Sequence, residues 1–237
     1  MQQPIYLALD FPTWEQTDHF LKVNELDGVP VKVGMELFYR EGPAVIAYLK
    51  KKNHPIFLDL KLHDIPTTIY KAMRNLANLG VDVVNVHGLG GSAMVAAAKQ
   101  GLIDGSNQIQ TPKLLVVTML TSMDQETVEQ ELAIQQPIET IVTNLALLGK
   151  NNGADGVVCS AQEARAIKHA CGNEFLAVTP GIRLTNTAND DQKRIATPTF
   201  AKAEGVDALV IGRSITAAAN PKETYKQAVK EWNHVSS

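Results

Sequence analysis

Residues 56–68, IFLDLKLHDIPTT, place an acid, a base and a second acid within six positions, directly after an apolar run. Asp59, Lys61 and Asp64 are costly to bury unless each has a partner of opposite charge. Two roles would explain that cost. The charges form a structural ion-pair network, or they serve a chemical step that needs an acid and a base held close together.

Strand periodicity brings two of these charges together. Asp59 and Lys61 are two positions apart in a predicted strand, so their side chains point to the same face. Lys32, in the middle of VPVKVGM (29–35), needs a partner, which carboxylates at neighbouring strand ends can supply. At ~4 Å and an effective dielectric constant of about 20, one such pair contributes roughly 4 kcal/mol of attraction. Alternating lysines and aspartates would therefore keep each other charged despite burial.

Most of the predicted strands end on a charged residue or on a potential acid or base. One such residue is commonly just the point where the chain meets water, but the recurrence along the chain favours a shared site. These residues are Asp10, Lys32, Asp59 with Lys61, His87, Thr121, Arg183 and Arg213. An ion-pair network without chemistry is the alternative, because ion pairs perturb pKa values without doing catalysis.

The elements that must position these residues are short apolar, β-branched runs with amphipathic segments between them. The runs are too continuously apolar for one-sided antiparallel strands and favour a parallel sheet that is covered on both faces. The predicted strands are 5–10, 29–35, 56–61, 81–87, 114–120, 155–159, 175–180 and 207–213. The predicted helices include 42–52, 67–80, 91–100 and 160–170.

Eight βα units in 237 residues average about 30 residues each, the size of a minimal repeat. The predicted fold is an α/β (β/α)8 TIM barrel, with residues 1–237 as a single domain. An open, doubly wound sheet is the alternative, but no GxGxxG follows the first strand, where such folds bind dinucleotides. Two stretches, 121–137 and 183–194, interrupt the repeat after strand carboxyl ends, where barrels place function.

A second group of residues favours phosphate binding. The last predicted strand ends in VIGRSI (210–215), and the strand before it ends in TPGIR (179–183). Gly212 lets backbone amides approach a ligand, and Arg213 offers a planar fork of donors. The loops after strands seven and eight are the recurrent phosphate site of these barrels.

Composition excludes several classes of partner. The net charge is −3 and the 22 Lys and Arg residues are scattered, so we expect no nucleic acid partner and no membrane surface.

The amino terminus lacks a basic region followed by a long apolar core, so we expect no signal peptide. Cys159 and Cys171 fit neither CxxC redox chemistry nor a zinc site, which favours reduced thiols in a cytoplasmic protein. The spacing of His54, His63 and His87 matches no metal-ligand pattern.

Several motifs resemble those of the orotidine 5′-phosphate decarboxylase family, whose members catalyse the last step of UMP synthesis. DLKLHDIPTT (59–68) resembles the family signature DxKxxDIPxT. DxKxxD alone is shared with sugar-phosphate decarboxylases related to 3-keto-gulonate 6-phosphate decarboxylase, whereas IPxT together with LTS and PGIR is much more specific. The other matches are LALD (7–10), VKVGMELF (31–38), NVHGLGG (85–91), VTMLTSMD (117–124), VTPGIR (178–183) and VIGRSI (210–215).

The resemblance implies a role for each residue of the charged group. Lys61 would be the general acid that protonates C6 of the pyrimidine as carbon dioxide leaves. Asp59 would lie against the substrate carboxylate. Lys32 would bridge the carboxylates and the ribose, and Asp10 would hold the ribose hydroxyls.

The resemblance also implies contacts to the rest of the substrate and to a second subunit. Asp64, Ile65 and Thr68 would reach into the partner subunit's site, which makes the active unit a homodimer. Thr121 and Ser122 would lie at the pyrimidine edge. Loop 183–194 would close over the substrate, with Pro180 near the carboxylate pocket and the phosphate held by Arg183, Gln192, the amide of Gly212 and Arg213.

The implied reaction uses no cofactor and no metal. Loss of carbon dioxide from C6 leaves an in-plane carbanion that the ring π system cannot delocalise, so preorganised charge must stabilise it. A Mg-dependent 3-keto-gulonate 6-phosphate-type decarboxylase on the same barrel is the nearest alternative. A non-catalytic barrel that binds a phosphate ligand is the alternative from a different class.

Overall fold

The computed structural model of the chain describes residues 4–106, 110–184 and 196–233. Its eight parallel strands close into a barrel in chain order, with β8 paired to β1. This confirms the predicted (β/α)8 barrel and excludes the open, doubly wound sheet. The strands are β1 (Ile5–Ala8), β2 (Val31–Gly34), β3 (Ile56–Leu62), β4 (Val83–His87), β5 (Lys113–Val117), β6 (Gly156–Val158), β7 (Leu176–Thr179) and β8 (Ala208–Ile211).

Helices connect the strands, and a short 3-10 turn over Gly88–Gly90 precedes the helix after β4. Within the described ranges the helices are α1 (Trp14–Val23), α2 (Met35–Glu41), α3 (Ala44–Lys51), α4 (Pro66–Ala77), α5 (Gly91–Gly105), α6 (Gln125–Gln130), α7 (Ile138–Asn151), α8 (Ala161–Cys171), α9 (Pro198–Ala203), α10 (Arg213–Thr216) and α11 (Pro221–Asn233). No helix in these ranges is both long and apolar enough to span a bilayer.

The predicted elements are all present, but several boundaries are wrong by a few residues. The strand predicted over 114–120 ends at Val117, because the apolar run continues into a loop residue, Met119, that is itself buried. The stretch 121–137, predicted as an interruption, contains α6. Asp124 caps this helix, since its carboxylate accepts a hydrogen bond from the Thr127 N–H at 3.0 Å.

The strands bury two separate apolar layers. One lies between the strands and the surrounding helices, and the other fills the barrel interior with side chains such as Tyr6, Phe57, Leu115 and Val210. Because side chains alternate along a strand, the interior position of Phe57 places Asp59 on the inside too. The interior layer therefore forms the floor beneath the charged residues.

Three aspartates at the amino-terminal end of the barrel make the same kind of hydrogen bond to a strand. An aspartate precedes each of β4, β6 and β8, and accepts a backbone N–H near the start of the strand before it. The bonds run from Ile56 to Asp82 at 2.7 Å, from Leu114 to Asp155 at 2.9 Å and from Ala177 to Asp207 at 2.7 Å. The pattern ties each even strand to the preceding odd one.

Asp155 has the most partners of the three. Its oxygens accept hydrogen bonds from Lys99 at 2.7 Å and from Lys113 at 3.2 Å, besides the Leu114 N–H. Burial by itself would raise the pKa of Asp155, but these hydrogen bonds and the charge of Lys99 outweigh it and hold the pKa below its usual value. Asp155 is therefore charged at neutral pH and stabilises the fold in that form.

We predict that Asp155→Ala lowers the free energy of unfolding by about 2 kcal/mol at neutral pH, because a charged acceptor is lost from a partly buried backbone donor. The folded pKa is depressed, so this stabilisation is complete above the unfolded pKa and is lost as pH falls through the folded value. Urea unfolding should therefore show a smaller difference from wild type at about pH 3 than at about pH 7.

The matched control is Glu223→Ala, which removes a carboxylate from an exposed pair with Lys226 on α11. That change should alter the unfolding free energy by no more than about 0.5 kcal/mol. An Asp155→Ala loss of equal size at both pH values would show that the carboxylate's charge does not stabilise the barrel.

Candidate active site

A cavity of about 320 Å³ opens at the carboxyl ends of the strands. Its volume lies at the lower end of the range for small-molecule sites, about 300–1,000 Å³. Ten of the residues predicted from the sequence line it, and they come from the ends of strands that are far apart in the chain. They are Asp10, Lys32, Asp59, Lys61, Thr121, Ser122, Pro180, Arg183, Gly212 and Arg213.

Four of these residues form a chain of alternating charge. Lys32 Nζ lies 3.0 Å from Asp10 Oδ1 and 3.5 Å from Asp59 Oδ2. The other oxygen of that carboxylate, Asp59 Oδ1, lies 2.7 Å from Lys61 Nζ. The order Asp10–Lys32–Asp59–Lys61 therefore places each inner charge between two charges of opposite sign.

Burial and pairing act in opposite directions on the two inner residues, whose side chains are each only 11% exposed. Burial alone would lower the pKa of Lys32, but the charges of Asp59 and Asp10 more than compensate and raise it. Burial alone would raise the pKa of Asp59, but Lys32 and Lys61 more than compensate and lower it. Both groups are therefore ionised at neutral pH, as the alternation predicted.

The strand that carries Asp59 and Lys61 is irregular. Its register against β4 pairs Leu58 with Val84 and then Leu62 with Val86, so three residues of β3 face one residue of β4. Lys61 has φ of +49°, in the left-handed region that residues with a Cβ rarely adopt. The two side chains do share a face, as predicted, but a distorted strand builds that face rather than the regular alternation from which it was inferred.

Asn85, on β4, is a residue of the site that the sequence reasoning missed. Its Nδ2 donates to Asp59 Oδ1 at 2.7 Å, and its Oδ1 accepts from the Lys61 backbone N–H at 2.8 Å. The side chain is 1% exposed. The available signal was an amide in the middle of the apolar run VDVVNVH (81–87).

The remaining predicted residues do not line the cavity. Asp64, Ile65 and Thr68 are exposed beyond the end of β3, and Asp64 Oδ1 accepts the Ile65 N–H at 2.7 Å. Gln192 and most of loop 183–194 lie outside the described residues. The roles expected for all of these residues stay predictions.

None of the three histidines lines the cavity, including His87, which was one of the predicted strand-end residues. His63 and His87 stack with ring centroids 5.6 Å apart, and His54 Nδ1 is 2.7 Å from the carbonyl oxygen of Val29. Within the described part of the chain, no group of three or more His, Cys, Asp or Glu side chains could hold a metal ion.

A larger cavity, of about 1130 Å³, lies at the opposite end of the barrel. It is lined by residues that begin strands, such as Val83 and Leu176, and by Asp82 and Asp155. Those two carboxylates already accept strand N–H groups. The strand-end residues predicted for chemistry all lie at the other end, so the smaller cavity is the candidate active site.

Fold and site together define a (β/α)8 barrel with a small-molecule site at its carboxyl-terminal mouth. The sequence model of the Orotidine 5′-phosphate decarboxylase / HUMPS family matches residues 3–228 of this chain. The chain belongs to this family.

Similarity to curated relatives extends over the full length of this chain. The orotidine 5′-phosphate decarboxylases of Bacillus cereus (strain G9842) and Bacillus mycoides (strain KBAB4) are each 49% identical to this chain over 237 residues, which is 100% of both chains. Among solved structures, the orotidine 5′-phosphate decarboxylase of Lactobacillus acidophilus has a TM-score of 0.86 at 42% identity, covering 98% of this chain and 100% of the other. An uncharacterized conserved protein from Geobacillus kaustophilus has a TM-score of 0.86 at 46% identity, covering 97% and 100%.

Proposed function

We propose that the protein is an orotidine 5′-phosphate decarboxylase, which converts orotidine 5′-phosphate to UMP and carbon dioxide. The observation that carries the proposal is the alternating chain Asp10–Lys32–Asp59–Lys61 in the mouth of the barrel, in a member of this family. Such an array offers one ionised carboxylate and one ammonium group side by side to a bound substrate. The same two charges suit the loss of a carboxylate and its replacement by a proton.

In the proposed mechanism the substrate carboxylate binds next to Asp59. Two like charges at close range destabilise the bound ground state, and this repulsion is relieved as neutral carbon dioxide leaves. The electron pair of the broken C–C bond stays on C6. Lys61 stabilises that developing charge and then transfers a proton to C6, so that UMP is formed.

Electrostatic stabilisation is central because the C6 carbanion lies in the plane of the ring and cannot be delocalised into the π system. The proposed mechanism uses no cofactor and no metal. Fixed charges cost no reorganisation at the moment of reaction, and the ion pairs hold Asp59 ionised beside the site. Lys32, bonded to Asp10 and close to Asp59, would bridge to the ribose.

The far side of the cavity suits the phosphate and the base. We assign the phosphate to Arg183, Arg213, the Gly212 amide and Gln192, and closure over the substrate to loop 183–194. A Cβ added at Gly212 would meet Ala8 and Asp10 at ordinary contact distances of 3.5 and 3.6 Å, so protein packing does not require glycine there. A ligand that binds close to the backbone would require glycine at this position. Thr121 and Ser122 would lie at the pyrimidine edge, with Pro180 near the carboxylate pocket.

A homodimer with shared sites is part of the proposal. Ile65 is 67% exposed, and it lies between Asp64 and Thr68 beyond the end of β3. A second subunit that covers this segment would bury Ile65 and bring Asp64 to the partner's cavity. The segment would then serve a different site from the Lys61 that precedes it in the chain.

We also propose a single domain over residues 1–237 and a cytoplasmic location. The first strand of the barrel begins at Ile5 and the last helix ends at Asn233, so the barrel takes up nearly the whole chain. Cys159 and Cys171 are both buried as free thiols, which is typical of proteins from reducing compartments.

We predict that the purified protein consumes orotidine 5′-phosphate with loss of orotate absorbance, and that EDTA leaves the rate unchanged. Lys61→Ala should lower kcat by roughly 10⁴-fold or more, because proton donation and carbanion stabilisation are lost together. Lys230→Ala, at an exposed lysine of α11, is the control and should keep the wild-type rate. Inactivation by EDTA would favour the Mg-dependent sugar-phosphate decarboxylase, and no turnover at all would favour the non-catalytic barrel.

We predict that Arg213→Ala raises KM for orotidine 5′-phosphate by roughly 100-fold or more, since a charge-assisted contact to phosphate is removed. The same variant should decarboxylate orotidine, which lacks the phosphate, as slowly as wild type does. Arg165→Ala, which removes an exposed arginine paired with Glu204, is the matched control. An equal loss with both substrates would contradict the assignment of Arg213 to the phosphate.

We predict that two inactive variants restore activity when they share a dimer. Lys61→Ala and Asp64→Asn should each be nearly inactive alone. In a hybrid dimer one site would combine an intact Lys61 with an intact Asp64 from the other subunit, so random mixing should return about a quarter of wild-type activity. If refolded or coexpressed mixtures stay inactive while hybrid dimers are present, Asp64 does not act across the interface.

A further inference from the structure

Asn85 is the one residue of β4 that faces the three-residue stretch 59–61 of β3. We propose that Asn85 is a positioning residue for the decarboxylation. Its side-chain amide fixes both the Asp59 carboxylate and the Lys61 backbone, so that the ammonium group stays bonded to Asp59 at the mouth of the barrel. The inference rests on the proposed function, because it assumes that Lys61 donates the proton.

One half of the amide replaces a hydrogen bond of the sheet. Where β3 carries its extra residues, the regular ladder to β4 is interrupted, and the Lys61 N–H needs another acceptor because a buried donor without one is costly. Asn85 Oδ1 accepts this N–H at 2.8 Å. The bond holds Lys61 in its left-handed conformation, φ +49°, which persists only where the surroundings enforce it.

The other half of the amide orients the carboxylate. Asn85 Nδ2 donates at 2.7 Å to Asp59 Oδ1, the same oxygen that accepts from Lys61 Nζ at 2.7 Å. The second oxygen, Oδ2, faces Lys32 at 3.5 Å. With both oxygens engaged, the Asp59 carboxylate has a single orientation, and its pairing with Lys61 places the ammonium group on the cavity side.

Only a side chain with both a donor and an acceptor can do this. An aspartate would keep the acceptor for the Lys61 N–H but would turn a negative oxygen towards Asp59. A leucine would keep the branched shape of the side chain and lose both bonds. Asn85 is 1% exposed and lies in register with Leu115 on β5, so an apolar residue would suit its surroundings better if packing were the whole requirement.

The test compares Asn85→Leu and Asn85→Asp with wild type in the orotidine 5′-phosphate assay. Asn85→Leu should lower kcat by roughly 10- to 100-fold with KM changed by less than about threefold, because small displacements of reacting groups are costly while ground-state contacts are kept. The control is Ser106→Ala, which removes a buried hydroxyl bonded to Leu102 on α5. It should lose stability without losing kcat.

The pH dependence of kcat separates positioning from stability. In Asn85→Asp the new carboxylate faces Asp59, near the charges of Lys61, Lys32 and Asp10 and the imidazole of His87. Like charge raises the pKa of the carboxylate pair, so the acid limb of the kcat profile should move to higher pH and kcat should fall. A variant that is merely less stable would show the wild-type profile at temperatures where it is folded.

The outcomes are distinct from those of the proposed function. No turnover by the wild-type protein would contradict the function itself. Normal turnover by wild type, with Asn85→Leu within about twofold of it in kcat, would overturn the positioning role. If Asn85→Leu does not fold, Asn85→Asp decides by the same measurements, and an unchanged kcat and pH profile in that variant would overturn the inference.

Discussion

The site depends on one constraint: charges that are taken out of water must alternate in sign. Lys32 and Asp59 are each almost fully buried, and either one alone would shift its pKa towards the neutral form. Held between opposite charges, both stay ionised. The array of alternating charges ends at the Lys61 ammonium group, which pairs with Asp59. Lys32 and Asp59 therefore offset each other's cost of burial, and removal of either one would shift the pKa of the other towards its neutral form.

The barrel provides what this constraint requires. Its interior layer of apolar side chains excludes water from below the charges, and strands β1, β2 and β3 bring Asp10, Lys32 and Asp59 to one edge. The charges at the amino-terminal end stabilise the fold. There Asp82, Asp155 and Asp207 accept hydrogen bonds from strand N–H groups and so hold neighbouring strands together. The charges at the carboxyl end instead face a cavity. Stability and chemistry are thus separated along the barrel axis.

Much of this could be predicted from local patterns. Apolar runs about one βα unit apart predicted every strand, because a strand covered on both faces has to be apolar throughout. Strand-end polarity predicted the cavity lining, since parallel strands bring their carboxyl ends to one side. The boundaries were less accurate. Met119 is a buried residue of the loop after β5 and does not belong to the strand. Helix α6 occupies a stretch that was predicted as an interruption, because a short capped helix has too few residues for a clear periodicity.

The sequence by itself determined the barrel, the alternation of charge and the residues at the mouth, because all of these follow from side-chain type and spacing along one strand at a time. Only the tertiary structure decided how β3 fits against β4. The extra residues of β3, the positive φ of Lys61 and the two hydrogen bonds of Asn85 depend on the register between two strands. That register is a relation between segments distant in the chain, and no periodicity within either segment encodes it.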